Sequence, residues 1–241
     1  MSKIDGLKIK IFADGADLKS LLALYREPYI KGFTTNPTLM RKAGISDYEQ
    51  FSREILKAIP DRPISLEVFA DDLAAMKDQA LAIASWGPNV NVKVPVTNTK
   101  GDFCGSLIRD LSESGVVLNI TAIFSLDQVR RVVDSLHPET AAIVSVFAGR
   151  VADTGVDPMP LMRKAKELLS PTPKAELLWA SPREVFNVIQ ADECNCDIIT
   201  ATPDILAKLK FIGKGLEEFS LDTVRMFYDD ASVANYTIRT K

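Results

Sequence analysis

The stretch Val90-Asn91-Val92-Lys93-Val94-Pro95-Val96 is the most informative one for the fold of this chain. Valines occupy alternate positions, a pattern typical of a strand with one face buried among apolar neighbours. Lys93 stands among them, although lysine is almost never fully buried unless another group compensates its charge. Either its head reaches solvent at the edge of a sheet, or it lies in a desolvated site. A desolvated lysine loses its preference for the charged form, and the neutral amine can attack carbonyl groups.

Lys93 belongs to a set of polar residues that recur every 26 positions, namely Glu67, Lys93, Asn119 and Ser145. The same spacing repeats two residues later, at Phe69, Pro95, Thr121 and Phe147. Because side chains two apart on a strand point the same way, four consecutive strands would each direct two residues to one side. Polar residues at equivalent interior positions are costly without a role, so the repeat predicts a site.

Short β-rich runs alternate with helical patterns along the 241 residues. The runs are Lys8–Asp14, Gly32–Thr35, Ile64–Phe69, Val90–Val96, Val116–Thr121, Ala142–Phe147, Ala175–Ser181 and Asp197–Ala201. The alternation predicts an α/β protein with a parallel sheet. Eight units in this length favour a closed (β/α)8 TIM barrel, whose C-terminal rim is where active sites form. An open doubly wound sheet is the alternative, but we find no glycine-rich first turn to support it.

We expect one domain, residues 1–241, with an extra C-terminal helix at about residues 215–230. The apolar face of that helix must lie across its own barrel or dock on a neighbouring subunit. Ser46 and Ser125 each open a pattern typical of a capping box. Gly115 is expected to end the helix before it, and Thr202 to cap a helix that Pro203 begins.

Composition narrows the function classes. The net charge of −3 provides no basic surface for nucleic acid, and we see no apolar run long enough to span a membrane. The N-terminus lacks the apolar core of a signal peptide, so we expect a cytoplasmic protein. Cys104, Cys194 and Cys196 do not make a disulfide framework or a zinc site. A redox pair at Cys194 and Cys196 is one interpretation, and two small residues near a strand are the simpler one.

The single histidine, His137, lies in a predicted loop after a helix. A Ser-His-Asp triad or a multi-histidine metal site would have to be built around it, and its position argues against both. We therefore expect no metal site.

Each remaining candidate has a structural interpretation beside the functional one. Asn36 either caps the helix that Pro37 begins or reaches substrate hydroxyls. Asp14 either caps the next helix, or Asp17 caps that helix instead and Asp14 is available for a functional role. Glu67 either forms a buried ion pair with Lys93 or acts in catalysis, and one geometry serves both.

Two arginines follow late strands, Arg150 after the sixth and Arg183 after the seventh. Arginine binds phosphate in a two-point fashion, and phosphate sites in barrels often use the late loops and a helix N-terminus, to which Ser181 is adjacent. Surface ion pairing is the alternative for both arginines.

These segments together resemble the transaldolase family. The matching runs, in family order over most of the chain, are Ala13-Asp14, Thr34–Pro37, Glu67-Val68, Val92–Pro95, Asn119–Thr121 with Phe124-Ser125, Ser145–Phe147 with Gly149-Arg150, and Ala180–Arg183. Any one run is weak, but the ordered set is specific. The short length resembles the compact branch that includes fructose-6-phosphate aldolase. The resemblance implies a TIM barrel, no cofactor, sugar-phosphate substrates, and a homo-oligomer of five or ten subunits whose C-terminal helix reaches a neighbour.

The resemblance also implies roles. Lys93 is the Schiff-base lysine, and Asp14 is the acid/base for the C4 hydroxyl. Glu67 and Thr121 hold and activate a catalytic water. The residues implied in substrate binding are Asn36, Asn119 and Ser145 for hydroxyls, and Arg150, Ser181 and Arg183 for phosphate. Phe147 is the further residue of the substrate site.

Two positions separate the two activities of this family. The aldolase branch carries glutamine where Glu67 stands and tyrosine where Phe147 stands, so this chain has the transaldolase residue at both. The resemblance thus implies transfer of a dihydroxyacetone unit in the pentose phosphate pathway, with fructose-6-phosphate aldolase as the alternative. Val146 replaces the usual proline and Gly15-Ala16 the usual Thr-Gly, which leaves rim geometry and substrate preference open.

Two rival functions remain. A non-catalytic sugar-phosphate-binding barrel would keep the arginines without needing Lys93, Glu67 and Asp14 together. A lysine aldolase that cleaves deoxyribose phosphate is the other, but the runs Thr34–Pro37 and Ser181–Arg183 do not suit it.

Overall fold

The structure is a computed structural model of the chain, and it describes residues 6–240. Within these residues eight strands form one sheet. They are β1 Lys10–Asp14, β2 Ile30–Thr34, β3 Ile64–Glu67, β4 Val90–Pro95, β5 Leu118–Ile123, β6 Ala142–Val146, β7 Ala175–Trp179 and β8 Ile198–Ala201. Each strand lies parallel to the next, and β8 pairs with β1 to close the barrel. The predicted (β/α)8 TIM barrel is confirmed, and the open sheet is excluded.

Helices connect the strands. They are α1 Leu18–Tyr25, α2 Pro37–Lys42, α3 Tyr48–Ala58, α4 Leu73–Ala84, α5 Gly105–Glu113, α6 Leu126–Val133, α7 Ala148–Asp153, α8 Pro158–Leu168, α9 Phe186–Glu193, α10 Pro203–Leu206 and α11 Leu216–Val233. A short 3-10 helix, Leu209–Phe211, precedes α11. In the described part of the chain, no helix has the length and apolar character needed to cross a lipid bilayer.

The helix termini follow local side-chain chemistry. Ser125 forms the predicted capping box with Gln128. Thr202 occupies the predicted N-cap position before Pro203, but its hydroxyl makes no capping hydrogen bond to the backbone of α10 and donates to the Asp204 carboxylate instead. Gly115 follows α5 with a φ of 80°, which suits a residue without a Cβ atom. The prediction for Ser46 was wrong by one residue, because the Asp47 carboxylate accepts the hydrogen bond from Gln50 N and is the actual cap of α3.

An apolar layer fills the barrel below its C-terminal rim. Phe12 packs there with Ile143, Leu178 and Ile198, all of them buried. Gly32 on the neighbouring strand makes room for the Phe12 ring, since a Cβ atom at Gly32 would lie 2.5 Å from that ring. Each of these residues precedes a rim residue by two positions, so the polar rim stands on a packed apolar floor.

The chain divides into two compact units, residues 7–207 with the barrel and a second unit that includes residues 208–240. In the second unit, the rings of Phe211 and Phe219 stack with centroids 5.1 Å apart, and Lys214 pairs with Asp222. Helix α11 extends past the predicted end at residue 230 to Val233. That all 241 residues form a single domain stays a prediction.

Candidate active site

A cavity of about 410 Å³ lies at the C-terminal ends of the strands. Ten of the eleven predicted site residues line it: Asp14, Asn36, Glu67, Lys93, Asn119, Thr121, Ser145, Phe147, Arg150 and Ser181. Residues from opposite ends of the sequence therefore share one pocket, because parallel strands bring their C-terminal ends to the same rim. Arg183 is the predicted residue that does not line the cavity.

Lys93 is buried in the barrel interior, with 7% of its surface exposed. Its Nζ lies 3.0 Å from Oε2 of Glu67 and donates a hydrogen bond of 2.8 Å to the backbone carbonyl of Thr35. Glu67 and Lys93 are register partners on β3 and β4, so the strand pairing itself holds the amine beside the carboxylate. The alternative in which Lys93 reaches solvent at a sheet edge is excluded.

Asp14 ends β1 beside this pair. Its Oδ1 accepts a hydrogen bond of 2.8 Å from the Thr34 hydroxyl, and its Oδ2 accepts one of 3.3 Å from the Asn36 amide. Burial raises the pKa of the Asp14 carboxyl above its ordinary value, while the Lys93 charge and the two hydrogen bonds oppose the rise. Asp17 provides the cap of α1, which leaves Asp14 directed into the cavity.

Asn36 serves both interpretations at once. Its Oδ1 accepts a hydrogen bond from the backbone N–H of Leu39 and caps α2. Its Nδ2 donates to Asp14. The cap therefore fixes the amide that touches the carboxylate.

The 26-residue repeat corresponds to real register over three strands. Lys93 pairs with Glu67 on one side and with Asn119 on the other. Between β5 and β6 the register places Ile143, not Ser145, opposite Asn119. Ser145 still reaches across, and its hydroxyl donates a 2.6 Å hydrogen bond to Asn119 Oδ1.

Aromatic rings border the rim on two sides. The rings of Phe147 and Phe124 lie 5.7 Å apart. On the opposite side, the Tyr48 hydroxyl donates a 3.0 Å hydrogen bond to the backbone carbonyl of Glu67.

Ala122 follows Thr121 with a φ of 61°, a left-handed conformation that is uncommon for alanine. The irregular register of β5 and β6 begins after Ile120, so this strained residue marks where the rim departs from regular pairing.

The predicted phosphate region contains one arginine at the cavity and one away from it. The Arg150 guanidinium lies 5.4 Å above the ring of Phe147, and among residues 6–240 no carboxylate is within ion-pairing distance of it. Arg183 instead pairs in two-point fashion with Asp153, at 2.9 Å from Nε to Oδ1 for one of the bonds. This is the surface ion pair that sequence reasoning left open for Arg183.

Gly149 and Ser181 are in very close backbone contact. A Cβ atom on Gly149 would lie 1.6 Å from the carbonyl oxygen of Ser181, and Ser181 itself has a φ of 61°. The glycine before Arg150 therefore allows the β7 loop to lie against the start of α7.

Sequence reasoning assigned no role to three residues in this network. Thr200 at the end of β8 shares a 2.6 Å hydrogen bond with Thr34, and both hydroxyls border the cavity. Ser65 accepts a 3.0 Å hydrogen bond from the Asn119 amide. The sequence did contain a signal for Thr200. Its hydroxyl lies in the apolar run Ile198–Ala201, and burying a polar group in such a run is costly without a partner, as it is for Lys93.

Residues 6–240 contain no group of three His, Cys, Asp or Glu side chains arranged to hold a metal ion. Cys104, Cys194 and Cys196 are buried, and burial raises the pKa of the Cys104 thiol to about 11. Burial also raises the pKa of the Cys194 and Cys196 thiols above the ordinary value, so these two cysteines near β8 fit the interpretation of small buried residues.

Comparisons with known sequences match this chain over most of its length. The sequence model of the family described as transaldolase/fructose-6-phosphate aldolase matches residues 11–237. A probable transaldolase of Nitrosopumilus maritimus is 35% identical over 219 residues, which cover 89% of this chain and 94% of that protein. A probable transaldolase of Dehalococcoides mccartyi is 34% identical over 202 residues, which cover 83% of this chain and 90% of that protein.

Solved structures support the fold alone. Dihydrodipicolinate synthase of Rhodopseudomonas palustris superposes with a TM-score of 0.57 at 15% identity, covering 92% of this chain and 79% of that chain. KGPDC of Streptococcus mutans gives a TM-score of 0.55 at 11% identity, covering 85% of this chain and 94% of that one.

Proposed function

The chain belongs to the transaldolase/fructose-6-phosphate aldolase family, and we propose that it is a transaldolase that works through a Schiff base on Lys93. It transfers a dihydroxyacetone unit from a ketose phosphate, fructose 6-phosphate or sedoheptulose 7-phosphate, to an aldose phosphate. The observation that carries the proposal is the buried Lys93 amine, which lies 3.0 Å from Glu67 in a rim cavity that Asp14 also lines. A barrel that only bound sugar phosphates would not need a buried amine and two carboxylates in one cavity.

The reaction begins with addition of the amine to the ketone. Lys93 must lose a proton before it attacks, and Glu67 at 3.0 Å can receive it. The Nζ lone pair then adds to the C2 carbonyl carbon while the carbonyl π electrons move to oxygen, and transfer of a proton from the nitrogen to this alkoxide gives the carbinolamine. Loss of its hydroxyl as water, with the proton supplied from Glu67 through a water held with Thr121, leaves an iminium ion.

Carbon–carbon cleavage follows from the iminium. Asp14 removes the proton of the C4 hydroxyl, the C3–C4 bonding electrons move toward the iminium nitrogen, and an aldose phosphate leaves. A three-carbon enamine stays on Lys93. It attacks the aldehyde carbon of the acceptor, Asp14 returns its proton to the new alkoxide, and hydrolysis of the iminium releases the new ketose phosphate. These steps need no metal and no organic cofactor.

The polar side chains around the cavity suit the substrate. Asn36, Asn119 and Ser145 present amide and hydroxyl groups to the sugar hydroxyls. The Ser145 hydroxyl already donates a 2.6 Å hydrogen bond to the amide oxygen of Asn119, so both side chains are held in place before substrate arrives. Arg150 and Ser181 at the late loops would take the phosphate, with Arg183 released from Asp153 to join them.

Fructose-6-phosphate aldolase activity is the alternative, because the matched family includes both activities. In that reaction the enamine is protonated and hydrolysed without an acceptor. Phe147 lies at the rim beside Phe124 and carries no hydroxyl that could order water near the enamine. This favours transfer over hydrolysis.

Acceptor dependence distinguishes the two activities. The protein is incubated with fructose 6-phosphate with and without erythrose 4-phosphate, and glyceraldehyde 3-phosphate and sedoheptulose 7-phosphate are measured. A transaldolase forms both products only with the acceptor present. Equal release of glyceraldehyde 3-phosphate without acceptor would assign the aldolase activity instead. Borohydride trapping with fructose 6-phosphate alone separates either enzyme from a binding protein, since a binder would give no adduct on Lys93.

We further propose that the protein acts in the cytoplasm, in the pentose phosphate pathway, as a homo-oligomer of five or ten subunits. Helix α11 supports the assembly, because Val224, Phe227 and Val233 each expose more than half of their surface. Sedimentation velocity tests the assembly. A particle of one chain mass at micromolar concentration would contradict it.

A further inference from the structure

Two buried threonine hydroxyls connect β8 to the Asp14 carboxylate. The Thr34 hydroxyl lies 2.8 Å from Asp14 Oδ1 and 2.6 Å from the hydroxyl of Thr200. Both threonines are more than nine-tenths buried. The three residues come from three different strands, β1, β2 and β8, that are adjacent in the closed barrel.

Proton counting fixes the direction of this chain of hydrogen bonds. A threonine hydroxyl has one proton to donate and two lone pairs to accept with. When Asp14 is ionised it can only accept, so the single proton of Thr34 points to Oδ1. The contact between the two hydroxyls then requires that Thr200 is the donor and Thr34 the acceptor.

We propose that Thr200 is a positioning residue for Asp14, whose hydroxyl commits the Thr34 proton to Oδ1 and leaves Oδ2 to take the proton of the substrate. This inference rests on the proposed role of Asp14 as the acid/base. The hydrogen bond that Thr200 donates to Thr34 strengthens the one that Thr34 donates to Asp14, because hydrogen bonds in a chain polarise one another. The arrangement stabilises the carboxylate in a buried site where desolvation disfavours it.

The two carboxylate oxygens thus have different surroundings. Oδ1 is occupied by the short bond from Thr34. Oδ2 has only the 3.3 Å contact with the Asn36 amide, and is the oxygen with capacity left for a substrate proton. Thr200 contributes to catalysis through two other residues and need not touch the sugar.

The hydrogen-bond chain from Thr200 through Thr34 to Asp14 is called the relay below. The charged groups around Asp14 are not part of it. Lys93 on β4 and Glu67 on β3 act on its charge from across the rim. Asp17, Lys42 and Asp204 line an adjacent cavity that Asp14 also borders. Replacement of Thr200 by valine removes one hydroxyl and changes none of these charges.

The test compares Thr200→Val, which keeps the shape and removes the hydroxyl, with Thr200→Ser, which keeps the hydroxyl. Thr172→Val is the matched control, because Thr172 is equally buried but donates to the backbone carbonyl of Leu169. Titration of the Asp14 carboxyl is followed by carbon-13 NMR in the ligand-free protein, with the signal assigned from Asp14→Asn. The pH profile of kcat/KM for transfer is measured in parallel.

We expect Thr200→Val to raise the pKa of Asp14, so that the acidic limb of the profile moves to higher pH. Below that limb kcat/KM falls by about three- to tenfold relative to the wild type, the size expected for one neutral hydrogen bond. Thr200→Ser restores both readouts, and Thr172→Val changes neither. If Thr200→Val does not fold, Thr200→Ala removes the same hydroxyl with less volume and carries the same comparison.

The two readouts separate this inference from the proposed function. An Asp14 titration that is the same in wild type and Thr200→Val would overturn the relay, even if transfer activity is found. A titration that shifts as expected in a protein without transfer activity would keep the relay and overturn the transaldolase proposal. A loss of activity in Thr200→Val without any change in titration or in the pH profile would also overturn the relay, because it would indicate a structural role.

Discussion

Lys93 Nζ lies 3.0 Å from Glu67 Oε2, and the two residues are register partners on adjacent strands. The ion pair is largely desolvated, because the side chains of Lys93 and Glu67 are 9% and 18% exposed. Such a pair is weak evidence for stability, since desolvation offsets most of the attraction. Its position at the rim of a barrel makes chemistry the better explanation.

Replacing Lys93 should remove turnover and leave the fold intact. Lys93→Met keeps a long flexible side chain but has no nucleophile, so we expect transfer to fall by at least about a thousandfold. Borohydride with fructose 6-phosphate should label the wild type and not the variant, as measured by mass spectrometry. Lys166→Met, which breaks the ion pair of Lys166 with Asp197, serves as the control and should still be labelled. Turnover retained in Lys93→Met would refute the role of this lysine.

Arg150 should matter for phosphate and not for the sugar. Arg150→Ala removes a guanidinium at the cavity, and we expect KM for fructose 6-phosphate to rise by about ten- to a hundredfold, the range for one charged hydrogen bond. Turnover of unphosphorylated fructose should stay within about twofold of the wild type. The control is Arg130→Ala, an exposed arginine on α6 near Asp127. A proportional loss for both sugars would place the phosphate elsewhere.

Gly149 should tolerate no side chain. Gly149→Ala would place a methyl carbon 1.6 Å from the Ser181 carbonyl oxygen, so the backbone of one loop must move. We expect a loss of about 2–4 kcal/mol in the free energy of unfolding in urea, together with weaker phosphate binding. Gly215→Ala is the control, because the nearest atom to its new Cβ would lie 3.9 Å away. A Gly149→Ala protein as stable as the Gly215→Ala control would contradict the close approach.

The ionised Asp14 carboxylate should lower the free energy of unfolding at neutral pH. Burial holds the pKa of its carboxyl above the ordinary value, so the folded state binds the proton more tightly than the unfolded state. The resulting penalty is absent below the unfolded pKa, grows between the two pKa values and is complete above the folded one. Asp14→Asn should therefore raise the melting temperature at pH 7.5, lose this advantage on acidification towards pH 3, and lose transfer activity. A melting temperature that falls at pH 7.5 would show that the attraction to Lys93 outweighs desolvation.

Much of the fold was predictable because it depends on local patterns. The alternation of β-rich runs and helical stretches, with caps such as Ser125 and Thr202-Pro203, required only neighbouring residues. Strand ends were less accurate. Ile64–Phe69 was too long by two residues, because β3 ends at Glu67. The Val68 N–H still bonds the Lys93 carbonyl on β4, but the Phe69 N–H donates to the Gln79 side chain.

The site was predictable where register follows spacing. Glu67, Lys93 and Asn119 stand side by side because the two βα units that separate them have equal length. Ser145 broke this rule, because the pairing of β5 with β6 places Leu118 opposite Ala142 and Asn119 opposite Ile143 from the start of the two strands. Equal spacing along the chain does not determine the pairing offset of two strands, so the sequence pattern did not reveal this register.

The sequence by itself determined the class of fold, the buried lysine and the polar rim, because strand periodicity and the cost of burying charge act within each segment. Only the tertiary structure decided which groups pair across the barrel: Thr200 with Thr34, Ser65 with Asn119, and Arg183 with Asp153. The physical reason is that hydrogen bonds and ion pairs are short and directional. Their partners are selected by barrel closure and loop conformation, which bring together residues far apart in the chain.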